Sequence, residues 1–219
     1  MGEHLAGIKR AQGPLAPIAV LVPTTLLRLH LRRRFGDSLN IRFTTLAELV
    51  GDCPSNLKPL PPFGDEIILN TIIESHVGDG SYFQPVKATA GFRRCLLGTI
   101  RDLKEAGISA QKFAELAKSA KLNRAKFGQI ATLYTAYEEA LRQHEATDEA
   151  DRVAQSIKSL ATSHCPLAFS SRPLGSVCLY GFYDFNHLQR QLIRVLAERQ
   201  PLQVFVPYRD EPAYAFAKP

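Results

Sequence analysis

The chain lacks the features that mark a secreted or membrane protein. No apolar run approaches the roughly 20 residues that a membrane-spanning helix needs. Residues 1–12 alternate charged and apolar side chains and contain no signal-peptide core. The four cysteines include no Cys-x-x-Cys pair, which predicts reduced, structural thiols and no metal site. They are Cys53, Cys95, Cys165 and Cys178. These absences predict a cytoplasmic protein that does not contact a membrane.

Two catalytic signatures are absent as well. A phosphate-binding loop requires Gly-x-x-x-x-Gly-Lys-Ser/Thr, because its backbone amides must surround the phosphates. The sequence has no Gly-Lys-Ser/Thr, and the segment before Ile18 reads Gly-Ile-Lys-Arg-Ala-Gln-Gly-Pro. A spaced Asp…Glu-x-Lys cluster, which binds the metal in one class of nucleases, is also missing. Within this chain we therefore predict no catalytic residue and no cofactor.

The composition fits a folded protein with an anionic partner. With 219 residues, of which 45% are hydrophobic, the chain is long enough for one substantial core or two small domains. The net charge of +6 and the isoelectric point near 9.2 suit a polyanion. Many soluble proteins are mildly basic, so the charge alone does not identify the partner.

Strand–helix patterns occur at both ends of the chain. Residues 18–22 form a short apolar run that is typical of a buried parallel strand, and a helix capped by threonine follows to about Phe35. Residues 40–43 predict a second strand, and Thr44 and Thr45 cap the short helix after it. Near the other end, the pattern predicts a strand over 177–181, a helix over 186–199 and a strand over 202–206.

The middle of the chain has a helical period throughout. The clearest helix covers residues 123–143, with apolar side chains at alternating spacings of three and four residues. These are Phe127, Ile130, Tyr134, Tyr137 and Leu141. Strands on both sides of a helical block predict a parallel sheet built from sequence-distant halves. We therefore expect strand 18–22 to lie beside strand 177–181.

These patterns define the expected domains. Residues 1–63 and 162–219 form a discontinuous α/β sheet domain, in which the polar stretch 162–175 is a linker. Residues 64–161 form an inserted, all-helical subdomain. The predicted fold class is α/β, with a parallel sheet flanked by helices.

The segment after the helical block carries the most specific pattern. Residues 177–190 read Val-Cys-Leu-Tyr-Gly-Phe-Tyr-Asp-Phe-Asn-His-Leu-Gln-Arg and resemble the Walker B strand and helix of superfamily-1 helicases of the UvrD kind. In those enzymes two adjacent acids end the strand, one holding Mg²⁺ and the other activating water. Tyr180 and Gly181 stand at those positions here, and neither side chain can bind a hard cation or accept a proton from water. The matching positions are Phe182, Asp184, Asn186, Leu188 and Gln189.

Three further segments resemble motifs of these helicases in the same order. Residues 20–25 resemble a strand and turn whose hydroxyls and amides hold phosphates of single-stranded DNA, and residues 42–47 resemble the next turn on the DNA path. Residues 206–216 resemble the segment in which a glutamine senses the γ-phosphate, and Glu211 stands at that position. The positions of the degenerate nucleotide site are thus Tyr180, Gly181, Asp184 and Glu211.

One group is similar in its opening segments and in the later Tyr-Gly-Phe-Tyr-Asp-Phe: the helicase-like N-terminal domains of AddB/RecC-type proteins, subunits of bacterial helicase–nuclease complexes. Such domains have lost ATPase activity. The resemblance implies a P-loop-NTPase-like sheet, DNA binding in double-strand break repair and recombination, and a partner helicase subunit. Full-length relatives are longer, and many carry a C-terminal PD-(D/E)XK nuclease domain. We therefore expect this chain to be an N-terminal fragment.

The candidate DNA contacts lie around the two threonine turns. Hydroxyls, amides and nearby arginines would neutralise phosphates along a single strand. The candidates are Thr24, Thr25, Arg28, Arg32, Arg42, Thr44 and Thr45. On an alternative interpretation, the arginines are the solvated face of an amphipathic helix.

The aromatic and acidic residues of the Walker-B-like segment have a structural interpretation. We expect its aromatic side chains to pack in the core and around the helix cap, and not to stack on bases. These side chains are Tyr180, Phe182, Tyr183 and Phe185. Asp184 is interpreted as a helix N-cap beside Asn186 and not as a metal ligand.

Two other functions remain open at the level of sequence. One is a structural module that docks a partner helicase without contacting DNA. The other is the N-terminal part of an active nuclease whose catalytic domain lies beyond residue 219.

Overall fold

The structure is a computed structural model that describes residues 1–36, 38–51, 58–121, 123–162, 168–169, 172–173 and 175–206. The chain divides into two compact units. The sheet unit comprises Met1–Pro54 and Ser156–Pro219, and the helical unit comprises Ser55–Gln155. The prediction of an α/β fold with a parallel sheet flanked by helices is confirmed.

The predicted elements occur in the predicted order, but the block predicted to be all-helical, residues 64–161, also contains a short strand at Ala146–Thr147 that pairs with Lys58–Pro59. In the described residues the strands are β1 (Ile18–Val22), β2 (Ile41–Thr45), β3 (Lys58–Pro59), β4 (Ala146–Thr147), β5 (Ala168–Phe169), β6 (Arg172–Pro173), β7 (Ser176–Tyr180) and β8 (Leu202–Phe205). The α-helices there are α1 (Gly2–Gln12), α2 (Thr25–Arg34), α3 (Leu46–Gly51), α4 (Gly64–His76), α5 (Ala90–Glu105), α6 (Ala110–Ser119), α7 (Arg124–Gln143), α8 (Glu149–Thr162) and α9 (His187–Arg199). A 3₁₀ turn covers Gln84–Val86.

The main sheet joins the two ends of the chain. Among the described residues its order is β2-β1-β7-β8, and all neighbouring strands are parallel. Val20 of β1 lies opposite Phe43 of β2 and Cys178 of β7. The predicted pairing of strand 18–22 with strand 177–181 is therefore confirmed, although the whole helical unit separates them in sequence.

The central position of β1 explains its continuous apolar sequence. All five of its residues are buried, which is typical of a parallel strand covered on both faces. Ile18, Val20 and Val22 pack in one cluster with Leu5 of α1 and Leu31 of α2. The alternating residues Ala19 and Leu21 point to the opposite face, and they too are buried.

Two predicted boundaries differ from those in the structure. Strand β2 ends at Thr45 and not at residue 43, so Thr44 and Thr45 belong to the strand. Thr45 nevertheless caps α3, because its hydroxyl accepts a hydrogen bond from the amide of Glu48 (3.2 Å). The stretch predicted as a linker, 162–175, contains the short antiparallel pair of β5 and β6. Such a two-residue pair has too little pattern to stand out in a polar sequence.

The cap of α9 is Asn186, so the interpretation of Asp184 as the cap is wrong. The Asn186 side chain accepts from the Gln189 amide (2.8 Å), and the Gln189 side chain accepts from the Asn186 amide (3.1 Å). This reciprocal pair is a capping box. Asp184 lies two residues before it and is exposed.

The helical unit packs around α7, as its periodicity predicts. Leu133, Tyr134 and Tyr137 of this helix are almost fully buried. The Tyr134 hydroxyl donates to the carbonyl of Ile108 (3.0 Å), which satisfies its one polar atom inside the core. In the part of the chain that the structure describes, none of the helices combines the length and hydrophobicity that a bilayer crossing requires.

Candidate nucleic-acid interface

The candidate site lies where the parallel strands of the sheet unit end. Val22 at the end of β1 is in register with Thr45 at the end of β2. Leu21 is in register with Leu179 of β7, so the turns after β1 and β7 are adjacent. A Cβ atom built on Gly181 would lie 3.8 Å from the Pro23 ring. The three turns therefore share one edge of the sheet, which we call the carboxyl edge.

The turn after β1 opens α2 as predicted. Thr24 has an extended backbone, and its hydroxyl oxygen accepts from the Leu27 amide (3.2 Å), which confirms a threonine cap. Thr24 and Thr25 are exposed. Helix geometry leaves the amides of the first turn without intrahelical acceptors, so this end of α2 carries a partial positive charge at the carboxyl edge.

Glu48 connects the turn after β2 with α2. Its Oε2 atom accepts from the Thr44 hydroxyl and from the Thr45 amide, each at 3.1 Å. Its Oε1 atom pairs with Nη1 of Arg28. The structure thus brings together three of the predicted DNA-binding residues, Arg28, Thr44 and Thr45, around one carboxylate.

The sequence contained a signal for Glu48 that the motif comparison missed. Thr45 and Glu48 have the Ser/Thr-x-x-Glu spacing of a capping box, and both hydrogen bonds of that box are present. The ion pair with Arg28 carries no such signal, because it depends on how α2 packs against β2.

Glu48 is held in its charged form. Burial acts to raise the pKa of its carboxyl, but the hydrogen bonds from Thr45, Thr44 and Arg28 outweigh it and hold the pKa below its ordinary value. The carboxyl edge therefore carries one fixed negative charge beside the candidate phosphate-binding groups.

Two predicted DNA contacts lie away from the edge. Arg32 is exposed on α2, two turns from Thr24. Arg42 is in register with Ala19, three residues before the end of β2, which places it about 10 Å from the edge at the usual rise per residue. Helix α2 runs back from the edge after Thr24, and β2 reaches the edge only at Thr45. Arg32 and Arg42 therefore lie away from the edge, although both are close to the turns in sequence.

The predicted positions of the catalytic acids are occupied by packed groups. Gly181 has a left-handed backbone (φ +81°), and a Cβ atom there would lie 2.7 Å from Cδ2 of Leu27. Tyr180 is half-buried, with its ring 6.5 Å from that of Phe205. An acid at position 181 would therefore be strained by the left-handed backbone and would require the Leu27 side chain to move. Of the other two degenerate positions, Asp184 is exposed and Glu211 lies outside the described residues.

The aromatic side chains after β7 divide into two groups. Phe182 is buried and stacks on Phe185 with ring centroids 5.1 Å apart, as expected for core packing. Tyr183 is 68% exposed, so the prediction of core packing is wrong for this residue. Phe182 and Phe185 stack on each other, whereas Tyr183 between them remains on the surface.

A cluster in the helical unit has the composition of a metal site but holds a lysine. Oxygen atoms of Glu138, Asp148 and Asp151 lie within 4.8 Å of one another. The ammonium of Lys104 contacts each of them at 2.7, 2.7 and 2.8 Å, respectively. Burial alone would lower the pKa of Lys104, but Asp148 and Asp151 outweigh it and raise the pKa above its ordinary value. The cluster is an ion-pair network whose centre the lysine fills.

The fold and site define a class: an α/β protein whose parallel sheet is completed after a helical insertion, with polar turns at its carboxyl edge. The family model described as ADDB, N-terminal, matches residues 41–209, and the chain belongs to this family. The family indicates an AddB-like role in DNA repair. No curated protein matches the chain significantly. The match includes the turns after β2 and β7, whereas Thr24, Thr25, Arg28 and Arg32 precede it.

Proposed function

We propose that this chain is a non-catalytic, helicase-like module of an AddB/RecC-type helicase–nuclease subunit, and that it binds single-stranded DNA during double-strand break repair and recombination. The observation that carries the proposal is the convergence of three strand ends, the start of α2 and the Arg28 guanidinium at the carboxyl edge. A partner helicase subunit is part of the proposal.

The carboxyl edge has the chemistry that DNA phosphates require. In open parallel sheets this edge forms the ligand crevice, and the start of a helix there offers free amides to anions. Thr24 and Thr25 add exposed hydroxyls, and Arg28 adds a cation in the first turn of α2. Contacts of this kind fix phosphates and not bases, so the expected binding tolerates any sequence.

The turn after β7 supports the absence of ATP hydrolysis. An acid that holds Mg²⁺ needs both a carboxylate and room for the ion. Tyr180 supplies no carboxylate, and Leu27 occupies the space beside Gly181. The sequence also lacks the lysine-containing loop that surrounds the phosphates. The proposed module therefore requires no nucleotide cofactor.

We expect the chain neither to bind nor to hydrolyse ATP. Isothermal titration with Mg-ATP at sub-millimolar concentrations should give no binding heat, because the groups that hold the phosphates and the metal ion are missing. Phosphate release should not respond to added DNA. A clear one-site isotherm, or hydrolysis stimulated by DNA, would contradict the non-catalytic assignment.

We expect weak binding of single-stranded DNA that depends on Arg28 at the carboxyl edge and on Arg32 and Arg42, which lie farther from it. In a low-salt anisotropy assay with a labelled oligonucleotide, the triple variant Arg28→Ala, Arg32→Ala and Arg42→Ala should bind about tenfold more weakly than the wild type. Each lost phosphate contact should also reduce the slope of log affinity against log salt by about 0.7.

A matched triple variant in the helical unit controls for net charge. Lys112, Lys118 and Lys121 are exposed, and replacing all three by Ala removes the same charge at a different surface. This variant should retain nearly wild-type affinity. Equal affinities of the wild type and both variants would contradict DNA binding at the carboxyl edge and favour a module that docks a partner helicase without DNA.

A further inference from the structure

We infer that the Glu48 carboxylate is an internal competitor for the phosphate-binding groups of the carboxyl edge, and that DNA must displace it from Arg28 in order to bind tightly. This inference rests on the proposed function. It adds a restraint on that site, built from a residue that the helicase-like motifs do not contain.

The contacts of Glu48 are those that a phosphate would make. Its two oxygens accept from a hydroxyl (Thr44), a backbone amide (Thr45) and a guanidinium (Arg28). Hydroxyls, turn amides and arginines are the groups that hold phosphates along a nucleic-acid backbone. The Glu48 carboxylate therefore already occupies three donors, on Arg28, Thr44 and Thr45, that were predicted to contact DNA phosphates.

Arg28 is held in a geometry that leaves part of its guanidinium unused. Its Nη1 atom is paired with Glu48, but its Nε atom is buried and has no hydrogen-bond partner among the described residues. A buried donor without an acceptor is unfavourable. In this arrangement the second oxygen of Glu48 is held by Thr44 and Thr45, whereas a phosphate can accept from Nη1 and Nε of a guanidinium at once. Arg28 thus has a better-satisfied arrangement available with a phosphate than with Glu48.

The pair is accessible to an incoming ligand. The side chains of Arg28 and Glu48 are 22% and 38% exposed, so neither is sealed in the core. Because Glu48 remains ionised at neutral pH, it cancels the charge of Arg28 and repels a phosphate nearby. Removal of this one charge should therefore increase the affinity for DNA.

Glu48→Gln tests the inference with little change in shape. A glutamine oxygen can still accept from the Thr45 amide, so the cap of α3 is retained, but the negative charge is lost. In the low-salt anisotropy assay, the affinity for single-stranded DNA should rise about fivefold. The slope of log affinity against log salt should steepen by about 0.7, the value for one additional phosphate contact on a single strand.

Two further variants isolate the effect. In the Arg28→Ala background, Glu48→Gln should produce at most half of the fold-gain in affinity, because no guanidinium remains to be released. Glu139→Gln is the matched control: it removes the same charge from an exposed pair with Arg142 in the helical unit, and it should leave the affinity unchanged. Equal gains in affinity from Glu48→Gln in the wild type, Glu48→Gln in the Arg28→Ala background and Glu139→Gln in the wild type would reflect net charge alone and overturn the inference.

A measurement on the wild-type protein follows the Arg28 guanidinium directly. The ¹⁵N–¹H resonance of Arg28 Nε, assigned by comparison with Arg28→Lys, should shift on titration with the oligonucleotide. If DNA binds and this resonance stays in place, or if Glu48→Gln binds DNA as the wild type does while the triple arginine variant binds more weakly, the inference is wrong and the proposed function stands. If neither the wild type nor any of the variants binds DNA at low salt, the proposed function itself is wrong.

Discussion

Replacement of Lys104 by Met should lower the free energy of unfolding by about 3–5 kcal/mol at pH 7. The Lys104 side chain is only 5% exposed, and its ammonium contacts Glu138, Asp148 and Asp151. Methionine fills a similar volume but leaves three carboxylates close together without their cation. Breaking a buried ion pair from one side is costly because the remaining charges are uncompensated.

The expected loss depends on pH in a defined direction. In the wild type, burial and the nearby carboxylate of Asp148 raise the pKa of Asp151 to about 6, although Lys104 acts in the opposite sense. The folded state therefore holds this proton more tightly than the unfolded chain does. The contribution of Asp151 to stability is largest below about pH 4 and decreases as the pH rises through 6.

Removal of Lys104 should extend this trend to higher pH. Without the ammonium, which lowers the pKa of Asp151 in the wild type, that pKa rises further, so the folded variant retains a proton that the wild type has already released. The deficit of Lys104→Met relative to the wild type should therefore be largest at pH 7–8 and should shrink towards pH 5. Urea unfolding of both proteins, followed by circular dichroism at several pH values, measures this difference in the free energy of unfolding.

A second substitution separates charge from packing. Adding Glu138→Gln to Lys104→Met removes one of the unpaired carboxylates and should recover part of the lost stability. Lys118→Met, at an exposed position of α6, should change the free energy of unfolding by less than about 0.5 kcal/mol. A deficit of Lys104→Met that is independent of pH would contradict the electrostatic explanation.

The sequence predicted elements whose pattern is local. The apolar run 18–22 indicated a buried strand, and the spacing of Ile130, Tyr134 and Tyr137 indicated the buried face of α7; both are confirmed. The burial of Lys104 was not predictable in the same way. Its neutralisation requires residues from α7 and α8, and a lysine within a helical pattern is usually solvated.

At the candidate site, too, local patterns were predictable from the sequence and contacts between elements were not. The threonine turns were predictable because parallel strands place their carboxyl ends at one edge. The sequence did not reveal that Arg28 faces Glu48 or that Arg32 and Arg42 lie away from this edge, because those positions follow from the direction of α2 and the register of β2. Residue types predicted the chemistry of the edge, and packing decided which of them meet.

Gly175→Ala should be strongly destabilising, with a loss of at least about 3 kcal/mol in the free energy of unfolding. Gly175 has φ +61°, and a Cβ atom there would lie 2.0 Å from the carbonyl oxygen of Pro17 and 2.7 Å from its carbon. These are backbone atoms and cannot rotate away. The same Pro17 oxygen accepts from the Ser176 amide (3.2 Å) where β1 and β7 begin to pair.

The site of this clash makes the effect specific to the sheet. The pairing of β1 with β7 joins the two sequence-distant parts of the sheet unit, so an added methyl group forces apart the strands that hold them together. Gly98→Ala is the control: it lies in the interior of α5, a Cβ atom there meets nothing within 4 Å, and alanine should stabilise the helix by up to about 1 kcal/mol. Relative to the wild type, the midpoint temperature of thermal unfolding should therefore fall for Gly175→Ala and rise for Gly98→Ala. If Gly175→Ala unfolds like the wild type, the two strands do not approach each other as closely as the structure shows, and the pairing must tolerate a side chain at its start.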